Sequence, residues 1–127
     1  MLNYHELTVN GRVYKLRVRM RDHAELDKAF GGSFLGAISD EEKMGMNAWS
    51  MLGDLLNIAL RWNEAENGKF TRALVDDLLD DMIDDGCAMD DAVDCILKTA
   101  AVSGFFPKTV AEAIMQTKPG ETPNPEV

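Results

Sequence analysis

Between Tyr4 and Met20 apolar and polar residues alternate through two short runs joined by Asn10-Gly11. A period of two marks a strand with one buried face, and Asn-Gly tolerates the positive φ angles of a two-residue type I′ turn, so the pattern predicts a β-hairpin over residues 4–20. The turn also fixes the register, with Leu7 opposite Tyr14 and His5 opposite Leu16. Leu7, Val9, Tyr14, Leu16, Val18 and Met20 then share the inner face. On the outer face Glu6 meets Lys15, and Arg17, Arg19 and Arg21 continue a basic, solvated edge that resists further strand pairing.

At Asp22 the period lengthens toward 3.6. Asp22 with Glu25 reads as a capping box and Gly31-Gly32 as a stop, which predicts a short helix over 23–30. Ser33 to Ile38 is an apolar connector of no assignable form. Ser39 and Glu42 repeat the box and open a helix over 42–64, whose first turns are weakened by Gly45, so that its continuous part starts near Met46. Along that helix Trp49, Leu52, Leu56, Ala59 and Leu60 form one stripe, and Met51, Leu55, Ile58 and Trp62 form a second beside it. Together they cover about 200°, against the ~100° a surface helix needs. Ser50, Gly53, Asp54, Asn57 and Arg61 are left for solvent. Such a helix is either central in its own domain or buries its second stripe against a partner.

Beyond an Asn67-Gly68 turn, Thr71 caps a helix over 72–85 in which Leu74-Val75, Leu78-Leu79 and Met82-Ile83 alternate with Asp76-Asp77, Asp80-Asp81 and Asp84-Asp85. One half of this cylinder is apolar and the other anionic. Six aspartates on one face repel and have mediocre helix propensity, while burying six apolar side chains yields about 1.5 to 3 kcal/mol each. Packing must therefore hold it. A helix over 90–103 turns Ala92, Val93, Ile96, Leu97 and Ala100 inward, Gly104 ends it, and a last short helix spans 109–116. The proline-bearing residues 118–127 read as a disordered tail. The expected fold class is α+β, mostly α: a hairpin and then a bundle of four to five helices in one domain, 1–117.

The length of 127 residues fits one domain, and 46% hydrophobic with 28% charged residues fits a folded chain. A net charge of -9 argues against a phosphate backbone as partner, since such binding draws on Lys and Arg displacing counterions. No leader and no membrane-spanning run is expected. Cys87 and Cys95 lack the spacing of a disulfide framework and read as reduced thiols.

Chemistry is sparse. Asp80 to Asp91 lacks the alternating oxygen ligands, central Gly and closing Glu of a calcium loop. His5, His23, Cys87 and Cys95 are not spaced as zinc ligands. No nucleophile stands beside a base and an orienting group, and Gly31-Gly32 and Gly104 are helix stops rather than a phosphate loop. The reading is that there is no catalytic residue, no metal and no cofactor. The eight methionines are core gap-fillers, or else an adaptable apolar surface. A basic hairpin edge (Arg12, Lys15, Arg17, Arg19, Arg21) facing an acidic helix leaves head-to-tail homo-oligomers open.

The Leu7-Thr-Val-Asn-Gly-Arg-Val-Tyr-Lys-Leu16 hairpin, the Leu26-Asp-Lys-Ala-Phe-Gly-Gly-Ser33 helix end, the Leu55-Leu-Asn-Ile-Ala-Leu60 helix, the acidic helix Thr71 to Leu79, and Ser103-Gly-Phe-Phe106 follow one another in a characteristic order. That order resembles the tail assembly chaperones of long-tailed phages and prophages of Gram-positive hosts. The connector Asn63-Glu-Ala-Glu-Asn67 lacks the proline expected there, and Met89-Asp-Asp91 is more acidic than the usual helix start. The resemblance implies a cytoplasmic protein of the bacterial host that coats the tape measure protein, recruits tail tube subunits, and is absent from the mature virion. On that expectation the protein-binding residues are Met51, Leu55, Ile58 and Trp62 as apolar contact, with Asp76, Asp77, Asp80, Asp81, Asp84 and Asp85 keeping complexes soluble. An alternative is an acidic interaction protein or nucleic-acid mimic that occupies a host DNA-binding protein.

Overall fold

A computed structural model describes residues 3–121. Strands β1 (His5–Val9) and β2 (Arg12–Leu16) form an antiparallel hairpin. The register pairs His5 with Leu16, Glu6 with Lys15 and Leu7 with Tyr14, as the Asn-Gly turn requires. Asn10 and Gly11 take φ of 52° and 79°, the left-handed pair of a type I′ turn. Leu7, Val9, Tyr14, Leu16 and Val18 are buried on the inner face. Met20 is not: it is 82% exposed, because the chain leaves the strand at Leu16 and winds into a 3-10 turn at Met20–Asp22, which ends the alternation.

Seven helical segments follow among the described residues: α1 (His23–Ala29), α2 (Phe34–Ser39), α3 (Glu41–Ala59), α4 (Glu64–Asn67), α5 (Arg72–Asp84), α6 (Met89–Val102) and α7 (Lys108–Gln116). The chain is α+β and mostly α. The apolar connector at 33–38 is helix α2, capped by Ser33, whose Oγ accepts from Gly36 N at 2.9 Å. Two expected caps are replaced. Asp22 does not cap α1; its buried carboxylate takes the Arg19 Nε at 2.9 Å, and Glu25 instead holds Arg61 through two 2.9 Å bonds. At α3 the cap is Asp40 rather than Ser39, with Oδ1 accepting from Lys43 N at 3.0 Å. Thr71 caps α5 as expected, through Leu74 N at 3.3 Å.

The helix expected over 42–64 stops at Ala59 and gives way to a 3-10 turn at Arg61–Asn63 and then to α4. The break turns the chain onto the hairpin. There the Asn67 side chain pairs with the outer edge of β2: Oδ1 accepts from Lys15 N at 2.8 Å, while Nδ2 donates to Lys15 O at 2.7 Å and to Leu60 O at 2.9 Å. Trp62 Nε1 adds a second bond to Lys15 O at 2.9 Å. The edge expected to be solvated is thus covered, and a strand seeking to extend the sheet would find Lys15 already paired. Past the strand, Arg17 N donates to Ala59 O at 3.3 Å and Val18 N to Ser103 Oγ at 2.9 Å, so the hairpin exit is pinned to α3 and α6.

Helix α3 is the axis of the domain and packs against α1, α2, α5 and α6. Gly53, expected to face solvent, is buried where α5 crosses. A Cβ there would lie 2.8 Å from Arg72 Nη2 and 3.2 Å from Leu79 Cδ1, so the absent side chain sets how closely α3 and α5 approach. A small second cluster of Ala101, Ala111 and Ile114 fastens α7 to the end of α6. Of the expected tail, residues 118–121 form a turn in which Lys118 N donates to the Glu121 carboxylate; residues 122–127 lie outside those described.

Candidate protein-binding surface

The structure removes the expected apolar contact. Met51, Leu55 and Ile58 are 5%, 0% and 2% exposed and lie in the main core, because α3 is surrounded by helices on both of its stripes. Of the two readings open to a helix so widely apolar, the central one holds. Trp62 is half-buried, stacks on Tyr4 with ring centroids 6.0 Å apart, and spends its indole N–H on Lys15 O. None of the four is available as a continuous docking stripe.

The aspartates lie where the period places them. Asp76, Asp77, Asp80, Asp81 and Asp84 on α5 and Asp85 at its C-cap are all exposed. Among the described residues only Asp76 of these six joins an ion pair, with Arg72, which also grips Asp54 at 2.7 Å. The inward side of α5 is narrower than expected: Val75, Leu78 and Met82 are buried, whereas Leu74 and Ile83 remain 45% and 49% exposed. Three of the six apolar side chains are buried and Leu79 packs half-buried against the same core, since a straight helix meeting α3 along one line buries little more than one row. The outcome is an anionic face bordered by two aliphatic side chains. The basic hairpin edge is largely engaged within the molecule. Arg12 donates to Asn67 O and lies over the Tyr14 ring, Lys15 pairs with Glu66 at 2.8 Å, and Arg19 pairs with Asp22. The Lys15 ammonium in turn holds the Glu66 carboxyl below the usual carboxylate range.

A feature without a signal in the periodicity is an open cleft of about 500 Å³ between the α2–α3 corner and the α6–α7 pair. Ile38, Met44, Val93, Leu97, Phe106 and Ile114 supply its apolar lining, and Glu41 and Glu121 are the charged residues that line it. The cleft exists because the stripes of α6 and α7 are wider than the short α2–α3 corner covers. A smaller cleft between hairpin and α5 carries mixed charge, from Arg12 and Lys69 on one side to Asp77 and Asp81 on the other.

The titratable side chains of possible chemical interest are dispersed. His5 sits half-buried on β1, where burial and the nearby Lys98 charge push its pKa down to about 4. His23 stacks on Phe105 at 4.5 Å. Both cysteines are free thiols; burial pushes Cys95 up to about 12 and raises Cys87 as well, with Asp91 and Asp85 adding to the effect at Cys87. A thiol so raised is a poor nucleophile. Among the described residues no three His, Cys, Asp or Glu side chains converge as a metal site requires, and no helix is long and apolar enough to cross a membrane. No protein family, curated protein or solved structure matches the chain, so the functional reading rests on this geometry and on the order of the sequence segments.

Proposed function

We propose that this chain is a non-catalytic tail assembly chaperone of a long-tailed phage or prophage, which holds the tape measure protein in solution and recruits tail tube subunits while the tube grows. In this reading it works in the cytoplasm of the bacterial host and is left out of the mature virion. The observation that carries it is the open apolar cleft with carboxylates at its rim, on a body of net charge -9. A holding protein needs apolar surface to compete with a client's self-association, and like charge to keep the complexes apart. The acidic face of α5 supplies much of that charge. The order of hairpin, acidic helix and Ser103-Gly-Phe-Phe106 supports the same assignment.

Co-expression with the tape measure protein of the same genome tests it. The expected result is a tape measure protein that stays in the supernatant only when this chain is present. Equal solubility with and without it removes the proposal.

A second reading, an acidic protein that mimics nucleic acid and occupies a host DNA-binding protein, is favoured by the five α5 aspartates outside any ion pair among the described residues. Its signature is salt-sensitive binding that vanishes when Asp80, Asp81, Asp84 and Asp85 are changed to Asn. The chaperone reading expects such a variant to lose solubility of its complexes before it loses the client.

A further inference from the structure

The two walls of the 500 Å³ cleft are built differently. One consists of α6 and α7, joined through their own apolar cluster of Ala101, Ala111 and Ile114. The other is the α2–α3 corner, in which α2 is held in the core by Phe34, Ala37 and Ile38 while the first turns of α3 are mostly exposed. At Asn47 the backbone leaves helical geometry, with φ −127° and ψ 19°, and the Asn47 Nδ2 donates to Lys43 O at 3.0 Å across the break. From Glu41 to Asn47 only Met44 is buried. The kink at Asn47 separates these exposed first turns from Ala48–Ala59, whose apolar side chains lie in the core.

We propose that the cleft receives an amphipathic helix of a partner protein, whose apolar face is flanked by lysine or arginine. The inference rests on the protein-binding reading above and deepens it by stating what the client presents. Charge complementarity selects the occupant. The charged residues that line the cleft, Glu41 and Glu121, are both anionic, and the adjoining Gly120 lies against the Asp90 carboxylate, where a Cβ would sit 3.2 Å from Oδ2. A basic flank is attracted there, and an acidic one is repelled. The same field disfavours the chain's own residues 122–127, which carry Glu126, and a second copy of net charge -9. Form follows from the walls: helices and a turn line the cleft, with no strand edge to pair an extended peptide. A helix brings its backbone hydrogen bonds with it and needs only side-chain pockets for its apolar face.

The probe is a fluorescein-labelled peptide of about 18 residues, ~27 Å as a helix, with leucines at i, i+3, i+4 and i+7 and lysines on both flanks. Its partner is the same peptide with glutamates in place of the lysines. The full chain is titrated with each, and the methionine methyl groups are followed by NMR; Met44 reports from the cleft, and Met20, exposed on the hairpin exit, serves as the control. The expected result is saturable binding of the lysine peptide that shifts the Met44 signal and spares Met20, with the glutamate peptide weaker by about tenfold or more. Glu41→Lys, an exposed change that leaves the core intact, and Leu97→Lys, checked for folding by circular dichroism, are each expected to weaken the lysine peptide by about tenfold.

Absence of saturable binding, or binding that leaves Met44 unmoved, overturns the proposal. So does an affinity lost on changing Asp80 and Asp84 to Asn but kept in Glu41→Lys, which marks attraction to α5 alone. A Met44 signal that moves on deleting residues 122–127 assigns the cleft to the chain's own end, and one that moves with protein concentration assigns it to a second copy; either result overturns the proposal. Failure here with a tape measure protein still held in solution by co-expression removes the cleft and leaves the chaperone reading standing. The reverse pair of results keeps the cleft and removes the chaperone.

Discussion

Replacing Asn67 by alanine isolates the joint between hairpin and helices. The side chain is buried, 1% exposed, and makes three hydrogen bonds to backbone groups, two on the outer edge of β2 and one at the C-terminal end of α3. Their loss is unequal. Lys15 O keeps the Trp62 indole as donor and Leu60 O, at the N-cap of the following 3-10 turn, keeps that turn's first N–H, so the variant orphans one group, the Lys15 N–H. An unsatisfied buried polar group costs about 1–3 kcal/mol. Lys15 is only half-buried, so water can recover part of that cost, while the lost bond to Leu60 O adds to it, which leaves about 1–3 kcal/mol for the substitution. That is a sizeable share of the 5–15 kcal/mol typical of a domain. Urea unfolding followed by far-UV circular dichroism, a probe that also serves variants without Trp62, measures it. With a slope of about 2 kcal/mol per molar, the midpoint is expected to fall by roughly 0.5–1.5 M at constant slope. The double variant Asn67→Ala, Trp62→Phe strips Lys15 O of both donors and should lose more than the sum of the single changes. A loss below about 0.5 kcal/mol, the range of an ordinary surface change, refutes the argument that Asn67 closes the edge of the sheet.

Leu55 lies fully buried at the centre of α3, so Leu55→Ala should cost about 2–5 kcal/mol and, at temperatures where the variant is folded, leave client affinity unchanged. A variant of near-native melting temperature and weakened binding would return that stripe to the interface. His5 carries a pH dependence. Its folded pKa, about 4 against 6.5, means that the unfolded chain takes up the proton first, so stability is complete above 6.5 and is lost as pH falls from there toward 4. Between pH 7 and pH 5 the group accounts for about 2 kcal/mol. Denaturant midpoints at the two values, compared with those of His5→Leu, should differ by that amount; equal pH slopes in both proteins would exclude the burial of an uncharged His5.

How far the sequence reached depended on the distance over which each interaction acts. The hairpin register was legible because Asn10-Gly11 permits one turn, and that turn fixes which residues face each other. The Thr71 cap was legible for the same reason, since cap and recipient stand three residues apart. The other caps show the weakness of such signals. Asp22 and Ser39 are sound caps by type, but Arg19 drew the first away and Asp40 displaced the second. The aspartates of α5 were correctly placed on a solvated face, because that needs only the helical period and the preference of charge for water.

The sequence by itself determined a two-stranded hairpin of known register, a mostly helical remainder, an anionic face on α5 and a helix in α3 too apolar to sit on a surface. Only the tertiary structure decided what covers that helix: its second stripe, Met51, Leu55 and Ile58, is covered from within. It also decided that Asn67, which reads as a turn residue, closes the edge of a strand 52 positions away, and that a cleft opens where α2 and α3 fall short of α6 and α7. The physical reason is that a period along the chain records how much of an element must leave water. Which neighbour meets it, and where the neighbours fail to meet, is settled by packing among segments that share no local pattern.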